Sequence, residues 1–173
     1  MASTTLHLLL IEDNPGDALL LKDALGRDAW VTFRVTVAER LREALALGAQ
    51  QPFDVVLLDL GLPDSQGLET FTRFHSAVPQ AAVVVLSGLM DEHLAVQAVR
   101  AGAEDYLVKS QAGWDVVPRA VRYAFERRQT RAALETSERR FRALIEQSAD
   151  LVVLLDAQGV IVYGSPSATR VLG

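Results

Sequence analysis

The chain of 173 residues is predicted to form an α/β domain built on a doubly wound parallel sheet. Short apolar runs alternate with segments whose apolar residues recur at helical spacing, and this alternation is typical of successive βα units. Three of the runs are almost wholly apolar, as expected for central strands covered on both faces. Half of all residues are hydrophobic, so a sizeable core is available.

Five apolar runs are predicted to be strands, with a helix expected after each. The first helix should begin after Asn14, which can cap it, with Pro15 in its first turn and Gly26 at its end. Pro79 and Gly102 are expected to end the third and fourth helices. Right-handed crossovers then place the helices on both faces of the sheet. The predicted strands are 6–11, 31–37, 55–58, 81–86 and 105–108.

The sequence from 116 to 150 predicts one long helix, because it contains a single proline, no glycine and many good helix formers. Its first turns carry apolar residues that can pack on the sheet. Farther along, an imperfect heptad spacing indicates a protruding helix that pairs with its counterpart in a homodimer. A solvated helix that frays is the alternative interpretation. The heptad positions are Thr130, Leu134, Ser137, Phe141 and Leu144.

The last residues, 151–173, predict a strand, a turn at Gln158 and Gly159, a second strand and the start of a helix. This segment is too short to close a core, so we expect the incomplete beginning of another domain. The expected division is therefore 1–125 for the first domain, 126–147 for a connecting helix and 148–173 for the incomplete one.

Composition argues against several classes of protein. The formal net charge of −5 disfavours a nucleic-acid-binding chain with a wholly basic surface. The arginines of the long helix are offset by Glu126, Glu135 and Glu138, which favours a solvated helix face over a DNA-binding one. The absence of cysteine excludes disulfides and thiolate chemistry. Neither a signal peptide nor an apolar stretch of about 18 residues is evident, so we expect a cytoplasmic protein without a membrane partner.

Polar residues follow four of the predicted strands. Glu12 and Asp13 follow the first, Asp59 the third, Ser87 the fourth and Lys109 the fifth. Because the carboxyl ends of parallel strands meet at one edge of a sheet, these side chains are expected to converge. Any one of these residues alone would more typically be a helix cap or a surface residue. The prediction rests on finding all of them at four strand ends, in this order along the chain.

The predicted cluster suits phosphoryl chemistry. Crowded carboxylates repel one another, and a hard divalent cation such as Mg²⁺, which prefers oxygen ligands, would offset that repulsion. Asp59 is then the best candidate nucleophile, since it lies mid-sheet between the acid pair and the other two groups. Lys109 would supply a second cation and Ser87 a hydroxyl donor.

The segments LLLIEDNPGD, VVLLDLGLPDSQGLE, VVVLSG and GAEDYLVKS resemble, in this order, the signature blocks of bacterial response-regulator receiver domains. The resemblance covers about residues 6–123. It implies a flavodoxin-like (βα)5 fold with strand order 2-1-3-4-5 and an extended C-terminal helix. It also implies that Asp59 accepts phosphate from a histidine kinase or phosphotransfer protein. Glu12, Asp13, Asp59 and the backbone carbonyl of Gly61 would hold Mg²⁺.

The same resemblance implies a switch. Lys109 and Ser87 would contact the phosphoryl group, and Tyr106 would turn inward as the hydroxyl of Ser87 moves. The surface of the fourth helix, fifth strand and fifth helix would then change and signal along the long helix. One departure is that Ser110 replaces the proline common after the lysine, so we expect a trans peptide bond there.

Residues 137–173 resemble the entry to a PAS sensory domain. This implies a longer parent chain in which a receiver, a connecting helix and a PAS domain precede an output, commonly a histidine kinase or diguanylate cyclase. The fragment itself is expected to assist only its own phosphorylation and dephosphorylation. The alternative is a phosphohydrolase that forms an aspartyl-phosphate, but Gly61 stands where such enzymes usually carry a second acid.

Overall fold

The main sheet contains five parallel strands in the order β2-β1-β3-β6-β7. A computed structural model describes residues 4–88, 91–109, 113–147 and 152–165. Because β6 and β7 are the fourth and fifth main strands, the predicted order 2-1-3-4-5 is confirmed. A short antiparallel pair, β4 and β5, follows β3. The strands are β1 (Thr4–Ile11), β2 (Val31–Ala38), β3 (Val55–Asp59), β4 (Gly61–Leu62), β5 (Ser65–Gln66), β6 (Ala82–Ser87) and β7 (Asp105–Val108).

The predicted helices and their end signals are also confirmed. Asn14 caps the first helix, because its side chain accepts hydrogen bonds from the N–H groups of Gly16 and Asp17. A short 3₁₀ turn at Trp114–Val116 precedes the last helix, which is 31 residues long. The helices are α1 (Pro15–Gly26), α2 (Leu41–Gln50), α3 (Leu68–Ala77), α4 (Glu92–Arg100) and α5 (Val117–Gln147).

Apolar side chains cover both faces of the sheet. Leu8 and Leu10 of β1 belong to one buried cluster, while Leu9 and Ile11 belong to the other, because successive strand residues point to opposite faces. Helices α1 and α5 contribute to the first cluster, and α2, α3 and α4 contribute to the second. The α5 residues predicted to pack on the sheet are all buried, namely Val117, Ala120, Val121 and Ala124.

The strand register brings the carboxyl ends of the central strands level with one another. Ile11 at the end of β1 pairs with Leu58, and Asp59 at the end of β3 pairs with Leu86. Beyond β7, the N–H of Lys109 donates a hydrogen bond of 2.8 Å to the carbonyl of Ser87. The residues that follow four different strands are therefore held beside one another at a single edge.

Two compact units make up the chain, with the division between Arg128 and Gln129. The second unit contains the later turns of α5 and an antiparallel hairpin of β8 (Val153–Leu155) and β9 (Ile161–Gly164). The turn predicted at Gly159 is present, with a φ of 81°. The helix predicted after β9 lies outside the described residues. Nowhere in the described part of the chain is a helix both long and apolar enough to cross a membrane.

Candidate functional site

Three acidic side chains converge at the carboxyl edge of the sheet. Glu12, Asp13 and Asp59 each offer one carboxylate oxygen, and these oxygens lie within 4.8 Å of one another. Glu12 and Asp59 are buried, whereas Asp13 is exposed. The structure thus brings together the acids that the sequence placed after the first and third main strands.

Lys109 lies against this cluster and connects it to α1. Its Nζ donates hydrogen bonds to Glu12 Oε2 at 2.5 Å and to Asp59 Oδ2 at 2.7 Å. A third hydrogen bond of 3.0 Å runs to Asp17 Oδ2 in the first turn of α1. An ammonium group has three N–H donors, so each donor of Lys109 has a carboxylate partner.

Sequence reasoning missed Asp17. The available signal was its place in the first turn of a helix that starts directly after β1. A residue in that turn lies near the carboxyl end of the preceding strand, where the cluster forms. That signal could be read only with Asn14 recognised as the cap and the helix start placed accordingly.

The carboxylate of Asp59 is held from two sides. Its Oδ1 accepts a hydrogen bond of 3.0 Å from the N–H of Gly61, while its Oδ2 accepts the bond from Lys109. A Cβ added at Gly61 would make an ordinary van der Waals contact of 3.7 Å with Asp59 Oδ1. The contact involves the N–H of Gly61, and the metal-binding role of its carbonyl stays a prediction.

Burial and charge act on this site together. Burial raises the pKa of Glu12, the hydrogen bond from Lys109 opposes the rise, and the charge of Asp59 adds to it, so the net direction is upward. Burial would lower the pKa of Lys109, but its hydrogen bonds to Asp59 and Glu12 outweigh burial and raise it. The lysine therefore stays charged beside the buried carboxylates.

Ser87 joins the site, whereas Tyr106 stands farther back. Ser87 is buried at the end of β6 and lines an open cleft together with Asp59, Gly61 and Lys109. Tyr106 is partly buried on β7 and packs against the apolar cluster beneath α4, and it does not line this cleft. The peptide bond predicted to be trans after Lys109 lies outside the described residues.

Comparison with known proteins agrees with this geometry. A family model described as "Response regulator receiver domain" matches residues 8–119, and a model described as "PAS domain" matches residues 139–173. The chain belongs to the response regulator receiver domain family. The matched segment contains every acid, hydroxyl and ammonium group of the site, and the second match begins within α5.

Individual relatives are bacterial signalling proteins. The chain is 40% identical over 105 residues to the KDP operon transcriptional regulatory protein KdpE of Escherichia coli, covering 60% of this chain and 44% of KdpE. It is 26% identical over 200 residues to the sensor histidine kinase TmoS of Ectopseudomonas mendocina, covering 96% of this chain and 20% of TmoS. The chain therefore spans less than half the length of either curated relative.

One similar solved structure contains a phosphorylated aspartic acid. A response regulator protein from Burkholderia pseudomallei, crystallised with a phosphorylated aspartic acid, calcium ion and citrate, is 32% identical and superposes with a TM-score of 0.58. The similarity covers 75% of this chain and 74% of that one. The fold and the family of the first unit thus rest on sequence and on structure.

Proposed function

We propose that Asp59 is the phosphate-accepting side chain of this receiver domain. The observation that carries the proposal is the placement of its carboxylate between the N–H of Gly61 and the ammonium of Lys109, beside two further acids and open to a cleft. A phosphorylated aspartic acid in the Burkholderia relative supports the same chemistry.

The donor set fits a hard divalent cation, and we propose Mg²⁺. Three carboxylates offer oxygens within 4.8 Å of one another, and a cation at this point would offset their mutual repulsion. Glu12, Asp13 and Asp59 would hold the ion, with the carbonyl of Gly61. When bound, Mg²⁺ neutralises the acids and withdraws charge from phosphoryl oxygens.

In the proposed reaction, a carboxylate oxygen of Asp59 attacks phosphorus while the bond from phosphorus to the donor breaks. The donor is a phosphohistidine of a kinase or phosphotransfer protein, and its histidine imidazole leaves with the electron pair of the broken P–N bond. Lys109 exchanges one carboxylate partner for a phosphoryl oxygen, and the hydroxyl of Ser87 donates to another. The chain's own part is to position the nucleophile and to compensate developing charge.

Phosphorylation would then act on the rest of the protein. Ser87 gains a partner, Tyr106 turns inward, and the surface formed by α4, β7 and α5 changes population. We propose that α5 carries the change to the PAS segment through a homodimer. We propose that the receiver domain spans 1–125, the connecting helix 126–147 and the PAS segment 148–173. We also propose a cytoplasmic location for the protein.

The output of the parent chain is proposed from the second family match and one relative. The PAS match within residues 139–173 and the similarity to a sensor histidine kinase over 96% of this chain favour a kinase. A diguanylate cyclase is the alternative output.

The alternative phosphohydrolase gains no support from the site. Such enzymes usually carry a second acid two residues after the nucleophile, and Gly61 occupies that position. Asp64 is the next acid along the chain, but its carboxylate accepts hydrogen bonds from the N–H groups of Leu41 and Arg42 at the start of α2. Its position is therefore explained by helix capping.

The proposal is tested by incubating the chain with Mg²⁺ and acetyl phosphate and measuring its intact mass. Wild type should gain one phosphoryl group, and Asp59→Asn should gain none. Asp54→Asn is a matched control, because Asp54 lies at the other end of β3 and accepts a hydrogen bond from the N–H of His7. Equal phosphorylation of Asp59→Asn and wild type would refute Asp59 as the acceptor.

A further inference from the structure

Among the described residues, Asp17 is the one carboxylate partner of Lys109 that stands outside the group of three converging acids. It belongs to the first turn of α1, where its own N–H is held by the side chain of Asn14. Its side chain is only 27% exposed, and its Oδ2 lies 3.0 Å from Lys109 Nζ. The helix start thus presents this carboxylate to the lysine in a defined position.

We propose that Asp17 is a positioning residue that draws the ammonium of Lys109 toward α1 and so keeps Glu12 and Asp59 available to a divalent cation. The inference rests on the proposed function, because it assigns a role within the same phosphoryl site. It concerns a side chain that acts through Lys109.

Competition for oxygen atoms is the physical basis of this role. Lys109 donates to Glu12 Oε2 and Asp59 Oδ2, and a cation held by the acid group would draw on the same two carboxylates. Without Asp17, all of the ammonium charge would be shared between those two acids, which would then be less available to the cation.

The negative charge of Asp17 also favours cation binding. Removing the carboxylate of Asp17 makes the site less negative by one unit, and a divalent cation several ångström away is then attracted less strongly. Loss of the hydrogen bond to Lys109 and loss of the negative charge of Asp17 are therefore both expected to weaken cation binding. During phosphoryl transfer Asp17 would also keep hold of Lys109 while the lysine gives up a partner in the acid group.

A simpler role for Asp17 is stabilisation of the helix start, where an acid interacts favourably with the exposed N–H groups of the first turn. That role predicts a change in stability and no change in cation affinity. Asp23 offers a matched comparison, since it lies on the same helix and is paired with Arg27, and its side chain is 55% exposed.

The test measures Mg²⁺ binding to the full chain by calorimetry, without any phosphate donor. Asp17→Asn should bind Mg²⁺ about 3- to 10-fold more weakly than wild type, the size expected for one charge at a partly screened site. Asp23→Asn should bind like wild type, and Asp17→Glu should recover part of the affinity. Urea unfolding checks the fold, and Asp17→Ser replaces Asp17→Asn if the latter is unfolded.

A second readout follows the lysine itself. Lys22 and Lys109 are the lysines of the chain, so ¹⁵N-lysine labelling gives one site signal and one reference signal. In Mg²⁺-free buffer, Asp17→Asn should shift the Nζ signal of Lys109 and leave that of Lys22 unchanged. An unshifted Lys109 signal in Asp17→Asn would show that Asp17 does not hold the ammonium in solution and would overturn this role.

The outcomes separate the two proposals. Failure of wild type to bind Mg²⁺ would remove the proposed function and this inference with it. Binding by wild type, with Asp17→Asn matching Asp23→Asn in affinity, would overturn the role of Asp17 and leave the proposed function standing.

Discussion

The two units of the chain handle their side chains in opposite ways. In the first unit, apolar residues are buried on both faces of the sheet, and burial extends to the charged groups Glu12 and Asp59. In the second, large apolar side chains on α5 are exposed, with Leu144 at 73% and Phe141 at 58%. One unit buries charge, and the other exposes apolar surface.

The difference shows where each unit can bind a partner. Buried carboxylates favour a compensating cation because water no longer screens their repulsion, so the first unit is suited to a metal ion and a phosphoryl group. Exposed apolar side chains favour a protein surface, because covering them removes apolar area from water. Heptad spacing of the exposed positions agrees with a helix of a second copy as that partner.

The largest expected effect comes from removing the buried counter-charge. Lys109→Met should lower the free energy of unfolding by about 3 kcal/mol in Mg²⁺-free buffer, because it leaves Glu12 and Asp59 without their ammonium partner. Urea denaturation measures the difference. Lys22→Met is the control, since Lys22 is exposed on α1 and should change stability by less than about 0.5 kcal/mol. Equal losses in the two variants would contradict the contrast between buried and exposed charge.

A charge placed on the exposed apolar positions of α5 should affect association instead of folding. Leu144→Glu is expected to weaken self-association about tenfold or more while leaving the unfolding of the first unit unchanged. Sedimentation, with and without a phosphoryl mimic, measures the change. Leu19→Glu is the control, because Leu19 is 68% exposed on α1, outside the heptad positions. A wild-type chain that stays monomeric in both states would remove the dimer from the account.

The smallest expected effect concerns His75, a partly buried titratable group away from the site. Its ring stacks on Phe71 with centroids 5.2 Å apart, and its Nδ1 has no hydrogen-bond partner among the described residues. Burial lowers the pKa of His75 below 6.5, Arg128 lowers it further, and Glu104 opposes them. The neutral ring is thus the form that suits the fold.

The lowered pKa of His75 determines how the stability of the fold changes with pH. Stability from His75 is fully present above pH 6.5 and is lost as the pH falls through the lowered pKa, by up to about 1.4 kcal/mol for each unit of difference. His75→Gln should remove this part of the slope between about pH 7.5 and about pH 5 in urea unfolding. His93→Gln, at an exposed position on α4, should keep the wild-type slope. A steeper slope in His75→Gln would contradict the assignment.

The sheet could be predicted because its strands are short, apolar and separated by clear turn and cap residues. Asp59 is itself the last residue of β3, one position beyond the predicted end, so the strand ladder holds the residue that the sequence placed after it. The convergence of the acids with Lys109 follows from the rule that parallel strands end at one edge.

Other features depended on packing that the sequence pattern does not encode. The hydrogen bond from Lys109 to Asp17 can form only because the start of α1 lies beside the strand ends. Trp30 is 76% exposed, because it lies in the turn after α1, where its backbone N–H donates a hydrogen bond to Asp28. Trp114 packs against the apolar cluster that contains α5 residues.

The central claim is that the carboxylate of residue 59 forms a bond to phosphorus. Borohydride reduction of the chain after treatment with Mg²⁺ and acetyl phosphate, followed by peptide mass mapping, locates that bond, because an aspartyl-phosphate is reduced to homoserine. The account predicts homoserine at position 59 and unaltered aspartate at positions 13, 17 and 54. Homoserine at another position, with position 59 unchanged, would contradict it.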